Sequence, residues 1–398
     1  MGVDIGEWLN LAIRWLHLTA GIAWIGSSFY FVWLDNHLKP VRSDSAGGVE
    51  GPAEGGASGE LWSVHGGGFY HNQKYQVAPA AMPERLHWFK WEAYFTWISG
   101  FSLLVLIYYV GAESFLIDRG KADLNPSVAI AIGLGSLVIG WLVYDGLCRS
   151  PVGASNLALG IFWFVCLVLG AAALDALFNP RAAYLHVGAI VGTAMVANVF
   201  LIIIPNQRKV VADLIAGRTP DPALGAAAKQ RSLHNNYMTL PVLFIMISPH
   251  YPMTYGAARP WLVLALLGLT GIAVRHIFNL RGRGQPTGAA VAVATAVALA
   301  TVTYVTLERG GDAEAAAPQN VAFVDVQPIL ATHCAGCHTL NRPPRAIPLD
   351  SFERVRAASA RIRAVAVDTQ VMPLGNATGM TPDERRRLGA WIAAGSPQ

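Results

Sequence analysis

Charge is scarce in this chain. Asp, Glu, Lys and Arg make up 14% of 398 residues, while 53% are apolar, a balance that excludes an ordinary soluble enzyme. A net charge of +4 is small and, on a membrane protein, reflects Lys and Arg gathered on cytoplasmic loops; nucleic acid is not an expected partner. Cysteine is scarce too, with four in all. Cys148 and Cys166 lie in or near apolar stretches, whereas Cys334 and Cys337 sit together in a polar tail, so only the second pair carries a chemical message. No small-residue cleavage pattern follows the first apolar stretch, and its length of about 27 residues argues against a removed signal sequence. No convincing internal repeat is present.

What the chain has is long apolar runs. A bilayer core about 30 Å thick needs roughly 20 apolar residues per helix, and eight stretches qualify: 8–34, 88–110, 126–144, 157–177, 182–205, 237–248, 261–279 and 286–307. The sixth is the weakest, interrupted by Pro241 and closed by Pro249. Because backbone polar groups inside lipid must be satisfied within the segment, these runs are expected to be helices. The expectation is an all-α fold, a polytopic transmembrane bundle of about eight spans. Two interruptions stand out: a polar stretch at 35–87, and a Gly/Ala/Pro linker at 310–319 that divides a membrane domain (1–309) from a small C-terminal domain (320–398). Within the first, 43–60 reads as flexible and 61–75 as a folded functional loop.

Loop charge sets the orientation. The loops after odd-numbered spans hold twelve Lys/Arg (Lys39, Arg42, Lys74, Arg85, Arg149, Arg208, Lys209, Arg218, Lys229, Arg231, Arg281, Arg283) against four after the even-numbered ones (Arg119, Lys121, Arg181, Arg259). The positive-inside rule then makes the long first loop cytoplasmic and both termini periplasmic, in the inner membrane of a bacterium.

The most specific signal is Cys334-Ala335-Gly336-Cys337-His338, the C-x-x-C-H pattern in which two thiols bond haem vinyl groups and the histidine ligates iron. The alternatives are a redox C-x-x-C or half a zinc site, for which His333 is the lone nearby extra ligand. Covalent haem c in a small cytochrome c domain calls for a second axial ligand. Met372, before Pro373, fits that role and Met380 is its competitor; Met/His ligation raises the reduction potential, as suits an electron acceptor. Thr381, Pro382 and Glu384 mark the start of a last helix with a capping box. Its Leu388, Trp391 and Ile392 are expected to pack on the helix before the motif through Val324, Ile329 or Leu330.

Ionisable groups inside spans are costly and mark function by default. On the first span Arg14, His17, Gly21, Trp24 and Ser28 share one face. His87, His186 and His234 open the second, fifth and sixth spans, and Arg275, His276 and Asn279 lie near the cytoplasmic end of the seventh. Histidines at this density are raw material for a b-type haem in the membrane domain, with His17, His87, His186, His234 and His276 as candidate ligands; the alternative is hydrogen-bonded interhelical contacts. In the loop, Trp62, His65, the glycines 66–68, Phe69, Tyr70, His71, Gln73 and Lys74 suit a flat anionic heterocycle, or else form a Gly-rich turn with interfacial aromatics.

These residues together resemble a known family, the membrane-bound, cytochrome c-linked bacterial urate oxidases, also called urate hydroxylases. The likeness runs through LHLTAGIAWIGSSFYFVWLDN (16–36), LWSVHGGGFYHNQKYQVAPAAMPERLHWFKWEAYFT (61–96), HNNYMTLP (234–241), CAGCH (334–338) and MPLGNATGMT (372–381). It implies oxidation of urate to 5-hydroxyisourate in purine degradation, with electrons passed to the fused haem c and on to a respiratory acceptor, without hydrogen peroxide. His17 also resembles the haem-binding histidine of a looser group of membrane proteins. On this reading His65 or His71 accepts a proton, Lys74 or Arg85 offsets the urate charge, and Trp62, Phe69 or Tyr70 stacks on the purine. Two other readings stay open: an electron-transfer subunit without substrate chemistry, and a transporter with a haem sensor tail.

Overall fold

A computed structural model of the chain describes residues 5–41, 57–75, 79, 82–314, 321–339, 347–368, 370–376 and 378–398. In chain order the elements are α1 (Ile5–His37), β1 (Ala57–His65), β2 (Gly68–Tyr75), α2 (Trp91–Leu104), α3 (Ala112–Phe115), α4 (Pro126–Arg149), α5 (Asn156–Leu177), α6 (Pro180–Ala197), α7 (Ile204–Ile215) and α8 (Pro222–Ile247). There follow α9 (Pro252–Tyr255), α10 (Pro260–Gly282), α11 (Gly288–Glu314), α12 (Phe323–Leu330), α13 (Phe352–Ala357), α14 (Ser359–Ile362) and α15 (Pro382–Ala393). Wider π turns continue α2 through Val105–Tyr109 and join α6 to α7 through Asn198–Ile203.

The molecule is mostly helical, with one correction to the all-α expectation. Residues 57–75 form an antiparallel hairpin in which Trp62 faces His71 and His65 faces Gly68. Gly66 and Gly67 turn it with φ of 58° and 80°, the backbone that a two-residue hairpin turn demands and that glycine adopts without strain. Of the loop expected to be flexible, 43–56 lies outside the described residues and 57–60 belongs to β1.

Among the described residues, five helices are long and apolar enough to cross a membrane: Pro126–Arg149, Asn156–Leu177, the run Pro180–Ile215, Pro260–Gly282 and Gly288–Leu307. Their boundaries follow local chemistry. Asn125 Oδ1 accepts the Val128 N–H at 2.9 Å with Pro126 in the first turn, and Ser155 Oγ accepts from Ala158 N at 3.3 Å, each supplying an acceptor to an amide the helix leaves unpaired. The expected break at Pro241 is absent, because α8 continues through it; a proline inside a helix removes one ladder bond, which neighbouring helices tolerate. Helix α11 runs on through Glu314, so the first half of the expected linker is helical, and 315–319 lie outside the described residues.

The chain forms two compact units. The first comprises Met1–Gly100, Gly192–Leu240 and Ile272–Val293. Here Ala93, Val196, Val199 and Ile204 form a core under Trp24, Trp88, Tyr94 and Trp97, and Trp97 Nε1 donates to Thr193 Oγ1 at 3.0 Å. The second comprises Phe101–Val191, Pro241–Gly271 and Ala294–Gln398. Leu116, Ile117 and Phe178 are fully buried in it, Ile117 bridges Phe178, and Lys121 pairs with Asp175 at 2.7 Å. The same unit holds the polar tail, whose core is Val326, Ile329, Leu330, Leu349, Val355, Ile362, Leu388 and Trp391. Leu388 and Trp391 meet the helix before the motif as expected, through Ile329 and Leu330; Val326 is in this core, while Val324 is exposed.

Candidate functional site

Two places gather chemistry-bearing side chains. The first is the tail. Helix α12 runs into a turn, Ala331–Ala335, that carries Cys334. Cys334 is half-buried against the tail core and Cys337 is exposed. Burial pushes the Cys334 thiol up to about 11. A redox-catalytic C-x-x-C works through a thiolate near neutral pH, which burial at Cys334 disfavours. His333 is occupied by Thr378 Oγ1 at 2.7 Å and Glu384 Oε1 at 3.3 Å. Among the described residues no group of three or more His, Cys, Asp or Glu side chains gathers as a metal cage.

The His338 ring is oriented by the backbone. Its Nδ1 hydrogen-bonds the Ile347 carbonyl at 2.9 Å. That contact fixes the tautomer with the proton on Nδ1 and leaves the Nε2 lone pair available to iron. The two methionines differ sharply. Met380 is 2% exposed, inside the core, whereas Met372 lies at its edge. Arg385, 5% exposed, holds the Met372 backbone: its Nη1 donates to the Met372 carbonyl at 2.7 Å and to the Ala366 carbonyl, and its Nη2 to Asn376 Oδ1 at 3.3 Å. The capping box of α15 forms as expected, with Thr381 N–H donating to Glu384 Oε2 at 2.7 Å and Glu384 N–H to Thr381 Oγ1 at 3.3 Å. The Thr381 N–H, together with the Thr381 hydroxyl donating to Oε2 at 2.8 Å, holds the Glu384 carboxyl down at about 2.

The second place is the polar seam of the first unit. On α8, Asn235 and Asn236 point at two different neighbours. Asn235 Oδ1 accepts from Asn198 Nδ2 at 2.8 Å, and Arg231 Nη1 donates to Asn198 Oδ1 at 3.2 Å. Asn198 opens the π turn after α6, a distortion that recurs at functional sites. Asn236 Oδ1 accepts from Arg275 Nε and from Asn279 Nδ2, at 3.0 Å each. Next along, the Tyr237 hydroxyl and His276 Nδ1 share a 2.8 Å hydrogen bond. Sequence reasoning singled out His234, Arg275, His276 and Asn279 but missed Asn198 and Asn236, and it counted Arg231 as a loop charge although it is 4% exposed within α8. The available signal was an Asn-Asn pair and a lone Asn inside otherwise apolar spans.

The family model described as urate oxidase N-terminal matches residues 4–306. The chain belongs to this family. No curated protein and no solved structure matches it.

The other expected ligands of this urate oxidase family member sit in unlike surroundings. His17 is half-buried, its Nδ1 2.9 Å from the Thr96 carbonyl and 3.2 Å from Ser99 Oγ; a Cβ at Gly100 would lie 2.8 Å from its ring, so glycine lets the imidazole in. His186 is fully buried with both nitrogens engaged, Nδ1 by the Ala182 carbonyl at 2.8 Å and Nε2 by the Tyr109 hydroxyl at 3.2 Å. His234 is buried, and His87 and His276 are exposed.

The hairpin divides the set assembled from the sequence. Because side chains alternate along a strand, Trp62, Phe69 and His71 share one face, while His65, Tyr70 and Lys74 take the other. Two of the polar groups already have partners: His71 stacks on Trp62 at 4.2 Å with Nε2 2.8 Å from Glu60 Oε2, and Lys74 pairs with Asp35 at 2.7 Å. The turn itself is Gly66-Gly67, and Trp62, Phe69 and Tyr70 are exposed on its strands.

Proposed function

We propose that this protein is a membrane-bound urate oxidase that converts urate to 5-hydroxyisourate in purine degradation and passes the electrons through a fused cytochrome c to the respiratory chain. Urate monoanion and water give neutral 5-hydroxyisourate, one proton and two electrons. The observation that carries the reading is the joining, in one chain, of the urate oxidase N-terminal family over 4–306 to a C-x-x-C-H segment whose His338 has Nδ1 pinned to a carbonyl.

The tail residues fit haem c: Cys334 and Cys337 would form its thioether bonds, and His338 and Met372 would ligate its iron. Met372 is favoured over Met380 because a thioether at the core's edge is available to iron and one packed inside is not. When bound, haem c supplies a one-electron acceptor, so each turnover delivers two electrons in succession. Within the spans His17 best fits a ligand for a b-type haem, since its Nδ1 contacts match the orienting bond of a ligating imidazole. His186 fits less well because both its nitrogens are spoken for; His276, whose Nδ1 shares a hydrogen bond with the Tyr237 hydroxyl, is exposed, as is His87, and His234 is buried. His65, His71 and Lys74 remain the hairpin's candidates for proton transfer and charge compensation, with His65 and Lys74 on one face.

The exposed apolar side chains of α1, α4, α5 and α11, among them Trp8, Trp15, Val138, Leu142, Leu157, Leu169, Leu299 and Val302, suit membrane lipid. We place the chain in the bacterial inner membrane with about eight spans, the hairpin side cytoplasmic and the cytochrome c domain (320–398), after its linker (310–319), periplasmic. An anaerobic visible spectrum of the detergent-purified protein, before and after urate, with a pyridine haemochrome assay on the same sample, tests the proposal. Urate is expected to produce the reduced c-type band. Haem that stays oxidised with urate yet responds to dithionite refutes it in favour of an electron-transfer subunit.

A further inference from the structure

We infer that Arg275, Asn236 and Asn279 form the seat for the anionic substrate, taking the charge and one amide edge of the purine. This inference rests on the urate reading above and names where in the chain urate is held.

The argument begins with what these buried groups lack. Asn236 is 0% exposed, Asn279 2% and Arg275 6%. Asn236 Oδ1 is saturated by two donors, Arg275 Nε and Asn279 Nδ2. That leaves Asn236 Nδ2, a donor, and Asn279 Oδ1, an acceptor, buried without a partner among the described residues. Exchanging the oxygen and nitrogen of either amide would still leave unmatched groups. Buried amide atoms are otherwise almost always hydrogen-bonded, and leaving one unmade is expensive.

The third group is a cation without an anion. Arg275 lays its guanidinium over the Phe29 ring at 3.9 Å and spends Nε on Asn236; no carboxylate of the described residues pairs with it. A buried charge normally has a counter-ion, because desolvation is otherwise uncompensated. One donor, one acceptor and one planar cation, closed off from water and side by side, describe the complement of a single ligand class. That class is a planar monoanion bearing adjacent carbonyl and N–H groups, which urate is. Guanidinium suits such a flat anion better than ammonium would, since its fork matches planar oxygen pairs.

The three residues come from two helices, α8 and α10, with Arg275 and Asn279 one turn apart on the same face of α10. Adjoining them along both helices is the Tyr237–His276 pair. His276 is exposed, so the closed seat lies next to an open position.

Binding of radiolabelled urate to the full-length protein in detergent, anaerobically and with excess reductant so that no turnover occurs, tests the seat. Two variants are compared with wild type. Asn279→Asp gives Arg275 an internal carboxylate, so it should fold and melt at or above the wild-type temperature. It should nevertheless weaken urate binding by roughly 30-fold or more, because the site's charge is neutralised from within. Arg275→Gln should weaken binding by a similar factor. Urate binding within about twofold of wild type in either folded variant overturns the inference, and so does an Asn279→Asp protein that fails to fold. A wild-type protein that does not bind urate at all refutes the functional reading itself, and the seat with it.

Discussion

Arg385 gives the sharpest quantitative test of the tail. Its guanidinium is almost wholly buried and donates to three acceptors: the carbonyls of Ala366 and Met372, and Asn376 Oδ1. Arg385→Lys keeps the charge but not the fork, and a single ammonium on a shorter reach can satisfy one of the three. Two buried acceptors then lose a charged donor, at about 1.5–3 kcal/mol each, partly offset by water or side-chain adjustment. We expect a net loss of about 2–4 kcal/mol and a melting temperature lower by roughly 10 °C. Slackening the Met372 backbone should also weaken the proposed Met372–iron bond, so the reduction potential of the proposed haem c should fall. Thermal unfolding followed by circular dichroism, a redox titration and the Met–iron absorption band of the oxidised protein measure these effects. A variant that matches wild type in melting temperature, potential and band refutes the assignment of Arg385 as the residue that positions the Met372 segment.

Two further tests concern stability. Glu384 has a folded-state carboxyl depressed to about 2 by the Thr381 N–H and hydroxyl, with His333 contributing, so its contribution is present above the ordinary carboxylate pKa and is lost as pH falls from about 4.5 toward 2. Since the group is partly exposed and screened by solvent, that contribution is about 1 kcal/mol; Glu384→Gln should lose it at pH 6 and show a flatter pH dependence below pH 4.5, and parallel acid-melting curves for the two proteins would contradict this. At Gly188 a Cβ would lie 2.5 Å from Ile245 Cγ2, so Gly188→Ala should destabilise by about 1–3 kcal/mol despite its better helix propensity. Combining it with Ile245→Ala should cost less than the sum of the two single changes, and strict additivity would show that the contact is not the cause.

Much of this architecture was legible in the sequence because its signals are local. Asn125-Pro126, Ser155 and the Thr381-Pro382-x-Glu384 start each name a helix terminus through a side chain two or three residues from its target. The C-x-x-C-H segment is equally local. The hairpin escaped because its strands mix Gly, His and aromatics without apolar alternation, having little to bury: Trp62, Phe69 and Tyr70 are all exposed. Pro241 misled in the other direction, since a proline's effect on a helix depends on neighbours that the sequence does not display. The Asn236–Arg275–Asn279 set was half visible. Arg275 and Asn279 stand out in an apolar span, but their partner is 39 residues from one and 43 from the other, and only folding reveals that its amide is shared and left incomplete.

The segment between α2 and α4 reaches the tail within one compact unit: a Cβ on Gly120 would lie 3.7 Å from Asn376 Nδ2, and Asp118 acts electrostatically on Arg385. The turn that follows Met372 is therefore docked on that segment and does not swing at the end of a tether. The stretch after α11 is therefore not what fixes this turn in place: within the unit, its length and composition can vary without changing how the turn after Met372 sits on the segment before α4.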